Sequence, residues 1–276
     1  MSHDLIAIIF PLEASADASL PVDNGRIMQG AFLKWVQLSL PELAVKLHDQ
    51  YQRFYTVSGL HGDFCLSEHR LQIRAGHTAW FRVTALQAEI AEALLELAAE
   101  TQTGPRLDDG KWLPGHAQID PETNEFVQLT SFAALAEAAQ NLAALDTLSP
   151  EVMLHFNSPT CFMENEQSLP LPVPRYVFGY LFNQWQITSP FPLPIEDIDS
   201  FINSIHLAYA GIKTRSVDYQ KFRRVGFTGQ ARFGLHPKLP PLYRMLLHLL
   251  AGFAGFSGVG SHTAMGMGQT LQEIRR

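Results

Sequence analysis

Four glycines stand in two Gly-x-Gly pairs within Gly258-Val259-Gly260-Ser261-His262-Thr263-Ala264-Met265-Gly266-Met267-Gly268. Glycine reaches positive φ at no steric cost and lets another backbone come close. Successive amides in such a loop can cradle the oxygens of a phosphate without any Lys or Arg. A second reading is open at the same residues: tight turns that pack a helix against a sheet. A dinucleotide fingerprint is excluded by context, because a helical pattern precedes these glycines and strand-like residues follow. Just upstream, Lys213, Arg215, Lys221, Arg223, Arg224, Arg232, Lys238 and Arg244 face a single acid, Asp218. That window carries a net charge of +7, so the rest of the chain must carry -14 to reach the total of -7. Segregated basic charge of this kind suits a polyanion, most simply a nucleic-acid backbone. At the other end of the chain stands His48, followed by Arg53. An imidazole titrates near pH ~6.5 and can move a proton at neutral pH. A lone histidine is nonetheless more often structural than catalytic.

Metal chemistry has no signature in the sequence, which contains no Cys-x-x-Cys, no His-Glu-x-x-His and no Asp-rich calcium loop. No metal and no cofactor are expected, and Asp108-Asp109-Gly110 reads as a turn.

The elements that must hold these groups follow from hydrophobic period. Leu5–Phe10 is a buried-strand pattern ended by Pro11. Asp23-Asn24-Gly25 supplies turn and cap chemistry before a helix over Arg26–Leu38. Pro41 opens a second helix, Glu42–His48, where its missing N–H costs little. This places His48 at a helix end. Strands are expected at Phe54–Ser58, Leu71–Arg74 and Ala79–Val83, then an amphipathic helix at Ala88–Ala99 and a strand near Phe126–Leu129. The order is that of a split βαβ unit, the ferredoxin-like arrangement. Phe132–Leu145 is an Ala-rich helix near the domain boundary.

The second half repeats the logic. Glu151–Phe156 is a strand, and Pro170, Pro172 and Pro174 forbid a central strand after it. Arg175–Trp185 and Ile195–His206 read as helices, Arg224–Phe233 as an alternating strand with glycine bends, and Pro240–Phe253 as an apolar helix. Gln269–Leu271 closes as strand-like. The expectation is α+β, with two tandem ferredoxin-like (RRM-like) domains at 1–145 and 146–276 and a C-terminal glycine-rich loop.

With 276 residues, 46% of them apolar and 17% charged, the chain is long enough to bury one or two cores. The acidic total is a poor prior for a nucleic-acid binder, so the segregated window carries that argument. Cys65 and Cys161 are too few for a disulfide framework. No membrane-length apolar run and no leader pattern is present, so a cytoplasmic protein is expected.

The segment Phe256–Gln269 resembles the C-terminal signature of the CRISPR-associated repeat-RNA endoribonucleases of the repeat-associated mysterious protein (RAMP) superfamily. Val225-Gly226-Phe227-Thr228-Gly229 is similar to that family's strand ahead of the last helix. Phe156–Phe162, Leu171-Pro172-Val173-Pro174 and Trp185 resemble its central signature. Leu47-His48-Asp49 with Phe54 and Ser58 resembles the region that carries its catalytic histidine. The resemblance implies tandem ferredoxin-like domains and metal-independent cleavage of the CRISPR precursor transcript within each repeat. The ribose 2′-hydroxyl would attack the adjacent phosphate, leaving a cyclic phosphate and a 5′-hydroxyl end. It also implies His48 as general base and repeat RNA and guide RNA as partners, with other effector subunits or a second copy as further ones.

Members often carry a Lys shortly after this His and a Tyr one helix earlier. Here Arg53 is the nearest following base and Leu33 falls at the Tyr position, with Lys34 and Arg26 as substitutes. The family's base within the glycine loop is missing too, and His262 either replaces it or is structural. Lys221, Arg223, Arg224 and Arg232, with Gly258, Gly260, His262, Gly266 and Gly268, form the expected RNA-binding set. A non-cleaving repeat-RNA or guide-RNA binder, and a structural subunit coating guide RNA, are the rival roles.

Overall fold

The computed structural model describes residues 3–49, 54–68, 70–99, 104, 105, 107, 112–144 and 148–273. It resolves into two compact units. The first is Met1–Leu129 with Thr263–Gly266, and the second is Thr130–His262 with Met267–Arg276.

The first unit runs β1 (Leu5–Ala14), β2 (Ala18–Pro21), α1 (Gly25–Ser39), α2 (Pro41–Asp49), β3 (Tyr55–Val57), β4 (Cys65–Ser67), β5 (Arg70–Ile73), β6 (Thr78–Ala85), α3 (Ala88–Ala99), β7 (Trp112–Pro114) and β8 (Gln128–Thr130). Its main sheet has the order β3-β6-β1-β7, with β8 also on β1. Strand alternation decides which face is core. Ile6, Ile8, Phe10 and Leu12 of β1 and Phe81 and Val83 of β6 join Met28, Phe32 and Trp35 of α1 and Ile90 and Leu94 of α3 in one buried cluster. Trp35 meets Phe10 edge-on at 5.1 Å.

β1 does not stop at Pro11 as its sequence suggests. Pro11 pairs in register with Trp80 and its carbonyl accepts from Gly115 N at 2.9 Å. The missing N–H faces the interrupted fourth strand, between the β7 pairing at Leu12–Ala14 and the bridge from Ile9 to Gln118. A proline fits where the ladder is already broken.

The second unit runs α4 (Phe132–Ala144), β9 (Glu151–Thr160), β10 (Phe162–Glu164), β11 (Gln167–Leu169), α5 (Pro174–Thr188), α6 (Ile198–Ser204), β12 (His206–Asp218), β13 (Arg223–Gly234), α7 (Pro241–Ser257) and β14 (Thr270–Gln272). The sheet order is β12-β13-β9-β14. In each unit the first strand lies between the third and fourth, and the second is outermost beyond the third. That is the ferredoxin-like order, found in both units. Phe132 of α4 stands edge-on to Trp185 of α5 at 5.2 Å, which places α4 within this unit's core. Phe156 and Phe227 meet across β9 and β13 at 4.7 Å, and Phe178 of α5 packs on Phe233 at 5.1 Å.

Two readings change. The helix expected over Ile195–His206 spans only Ile198–Ser204, and His206 begins β12. That long strand had no signal in the sequence, because from His206 to Ser216 neither of its faces is buried. A strand without a buried face shows no apolar alternation. Pairing with β13 from His206↔Gly234 to Asp218↔Arg223 holds it instead.

Candidate functional site

The basic window folds mainly into one hairpin. β12 and β13 run antiparallel to the pair Asp218↔Arg223, and Tyr219–Phe222 form the tip. Asp218 organises it. One carboxylate oxygen accepts from Gln220 N at 2.7 Å, and the other accepts from Arg223 Nε at 3.1 Å. The amide of Gln220 first, then Arg223, hold this carboxyl below the usual range. Gln220 takes φ 67°, and Tyr219 N donates to the Phe222 carbonyl at 3.0 Å. Lys213 and Arg215 on β12, Lys221 at the tip and Arg223 are exposed, while Arg224 is half-buried.

Arg232 is not part of this group. It lies eight residues along β13 from Arg224, about 26 Å at ~3.3 Å per residue. There it sits 3.8 Å from Glu151 and lines a cavity with His248 and Gln272. The single groove expected from Lys221, Arg223, Arg224 and Arg232 is therefore divided, since a continuous strand keeps its two ends apart.

Each paired glycine does what only glycine does easily. φ is 63° at Gly258, 85° at Gly260, 86° at Gly266 and 70° at Gly268. A Cβ on Gly260 would lie 2.4 Å from the Cys161 carbonyl oxygen, and one on Gly266 would lie 2.7 Å from the Gly25 Cα. The loop amides are mostly taken. Gly258 N donates to Ala254 O, Val259 N to Gly268 O, Ser261 N to Cys161 O, Gly266 N to Val57 O, Met267 N to His262 O and Gly268 N to Pro159 O. At these six positions the close-packing reading of the glycines holds, and the amides are not free for a phosphate.

Thr263–Gly266 belongs to the first unit. Ala264 is buried in that unit's core, and Gly266 bridges in parallel to Ser58. Gly25, where α1 begins, packs directly under the Met265 carbonyl. Asn24 before it makes no side-chain cap; its Oδ1 accepts from Leu60 N at 2.7 Å and its Nδ2 donates to Pro21 O at 3.2 Å. Sequence reasoning took Asp23-Asn24-Gly25 as a helix start and missed this second duty. Asn24 is 2% exposed, a burial its residue type does not signal.

His48 lies in the last turn of α2, one residue past Leu47, which with Leu43 turns that helix toward the core. The side chain of His48 and the whole of Arg53 lie outside the described residues. Lys34 and Arg26 are exposed on α1, and Leu33 packs partly against the core.

Known proteins now bear on this arrangement. The family model of the CRISPR-associated endoribonuclease Cas6 matches residues 154–270. A solved Cas6 product complex is 25% identical, with TM-score 0.76, over 99% of this chain and 100% of that one. Over residues 154–270 the chain is similar to Cas6. Thermus thermophilus Cas6 matches the same way, at 23% identity and TM-score 0.74 over 99% of this chain and 100% of that one. A structure described as a RAMP protein binding different RNA substrates shares the fold at 14% identity and TM-score 0.63, over 98% of this chain and 100% of that one. No curated protein sequence matches.

The Cas6 match spans the hairpin and the whole of the glycine loop, and His48 lies outside it. His262 of the Cas6-like loop takes φ 62° and lays its ring beside two rings of the hairpin tip, Tyr219 at 5.6 Å and Phe222 at 5.4 Å. Burial first, then the Arg224 charge, push its pKa down. Among the described residues no group of three or more His, Cys, Asp and Glu is placed to hold a metal, and no helix is long and apolar enough to cross a membrane.

Proposed function

We propose that this Cas6-like chain is a cytoplasmic endoribonuclease that cuts CRISPR precursor RNA within its repeats and needs no metal ion. The observation that carries the reading is the Cas6 match over residues 154–270, joined to a fold match that covers 99% of the chain. In this reading the first unit, which ends at Leu129 rather than at the expected boundary of 145, carries the chemistry, and the second unit carries the grip on RNA.

The chemistry is a transesterification within one nucleotide. His48 takes the proton of the ribose 2′-hydroxyl, whose oxygen attacks the adjacent phosphorus. The bond from phosphorus to the 5′-oxygen breaks, and that oxygen takes up a proton. The products are a cyclic phosphate and a 5′-hydroxyl. General base catalysis supplies about 10²–10⁴-fold in such steps, and a cation, assigned here to Arg53, offsets charge growing on the phosphate. The exposed bases of the hairpin, Lys221 and Arg223 foremost, hold phosphates of the repeat, and A-form RNA is recognised largely through shape and backbone.

The test is His48→Ala on purified protein with labelled repeat RNA in EDTA. We expect wild type to cut and the variant to lose at least about 100-fold in rate. Equal cutting by the variant removes His48, and loss of wild-type cutting in EDTA removes the metal-free mechanism. Leu33 in place of the family's Tyr favours one rival, a non-cleaving repeat-RNA binder. Tight repeat binding with no product at any pH establishes it.

A further inference from the structure

The hairpin tip is held by a stack of rings that none of the proposed chemistry uses. Tyr219 and Phe222 tilt together at 5.0 Å. His262 packs beside both, and the Arg224 guanidinium sits 4.6 Å from the centroid of Phe222. Tyr219 is 2% exposed beneath the stack, while Phe222, Arg224 and His262 around it are half-buried. His262 is itself fixed. Its carbonyl accepts from Met267 N, and its neighbour Ser261 is tied to Cys161.

His262 contributes ring rather than charge. Its Nδ1 is buried and pairs with no described protein group. Its pKa lies below the ordinary value through burial and the nearby Arg224, so the ring is neutral at pH 7. Arg224 is likewise turned inward over Phe222, whereas the Arg223 side chain next to it is 76% exposed. One basic neighbour lies against the rings of the tip and the other faces solvent.

We infer that His262 and Arg224 are positioning residues for RNA binding: they clamp the tip through Phe222 and Tyr219 so that Lys221 and Arg223 meet phosphates already in place. The inference rests on the RNA-binding reading above. A tip held before binding loses less conformational freedom on contact. The family's base in the glycine loop is thus not replaced by an equivalent contact here. The charge stands on the hairpin, and the loop supplies the ring that holds it.

A double-mutant cycle tests this. His262→Asn keeps a residue that tolerates positive φ and removes the ring, while Phe222→Ala removes the partner ring and leaves position 262 untouched. Repeat-RNA affinity is measured by filter binding, and amide exchange at Tyr219, Gln220 and Lys221 is measured in the free protein. Each single variant is expected to lose about tenfold in affinity, and the double variant about the same tenfold, because both remove one shared interaction. Exchange at the tip is expected to rise about tenfold in both single variants.

A loss near 100-fold in the double variant shows that His262 touches RNA independently, which overturns the inference. Unchanged exchange in His262→Asn, or unchanged affinity in both single variants, also overturns it. If wild type fails to bind repeat RNA, the function proposed above falls, while the exchange result still decides whether the clamp exists.

Discussion

The two units share one strand order but differ at the same strand. In the first unit the second strand of the ferredoxin-like order is β3, three residues long and buried throughout. In the second unit it is β12, thirteen residues long and exposed along most of both faces. Around β3 the polar groups are matched inside the unit. Thr56 and Thr84 share a bond of 2.8 Å, and Ser58 Oγ accepts from Arg82 N at 2.8 Å. Around β12 the polar side chains are mostly exposed, and Asp218 at its end is tied to Gln220 and Arg223. The fold fixes where a strand lies, and the length and burial of that strand differ between the units, which makes β12 the one available for the proposed contact with RNA.

The glycine loop sharpens the comparison, because its apex is part of the buried unit. The largest effect is expected there. Gly25→Ala would place a methyl 2.2 Å from the Met265 carbonyl oxygen, a backbone atom that has no rotamer to move. A loss of about 3 kcal/mol is expected, at the upper end for overpacking. Urea unfolding of the full chain measures it. A midpoint within error of wild type shows that the apex of the loop is not packed as described.

The first unit also predicts a pH response at His61. His61 lies flat on Trp80 at 4.2 Å, and burial first, then the Arg82 charge, lower its pKa to about 4. The folded state therefore resists a proton that the unfolded chain accepts near pH 6.5. Stability is full above that value, falls as pH drops from 6.5 toward 4, and levels off below. The linkage is worth about 3 kcal/mol at most, from ~1.4 kcal/mol per unit of pKa difference. His61→Gln removes the titrating group, so its melting temperature should fall less than that of wild type between pH 7 and pH 4.5. Parallel curves would show that His61 titrates alike folded and unfolded.

On the exposed side the expected change is in binding, not folding. Lys221→Ala with Arg223→Ala should leave the unfolding midpoint within about 0.5 kcal/mol, as surface changes do. The pair should weaken repeat-RNA binding and flatten its salt dependence. Each phosphate contact adds about 0.7–0.9 to the slope of log K against log salt, so a drop near 1.5 is expected for both. Adding Arg232→Ala should change that slope no further, since Arg232 stands beside Glu151 at the other end of β13.

The sequence revealed the parts that bury one face. Ala88–Ala99 was read to the residue, and β9, β13 and α7 were found from their apolar alternation or stripe. It could not reveal β12, whose stability comes from hydrogen bonding to β13 while neither face carries a pattern. The glycine loop was legible as a family mark, but its physical reason was not. The groups that demand glycine there, Gly25 and the Cys161 carbonyl, are distant in sequence and become neighbours only on folding. The ring stack at the hairpin tip was hidden likewise, since Tyr219 and Phe222 lie in a turn without period and His262 lies in another loop. His48 came from the family resemblance and stays an assignment to be tested.

The smallest prediction runs the glycine argument in reverse. Gly30 lies inside α1, is exposed, and a Cβ there would meet nothing within 4 Å. Its φ is not positive, so this glycine serves neither close approach nor a turn. It only leaves the unfolded chain more freedom to lose. Gly30→Ala should therefore stabilise the protein by about 0.5–1 kcal/mol, opposite in sign to Gly25→Ala five residues earlier on the same helix. Urea unfolding of the two variants side by side checks both. If Gly30→Ala also destabilises by more than about 1 kcal/mol, that face of α1 is packed against something, and the contrast between a glycine kept for contact and a glycine kept for nothing fails at this helix.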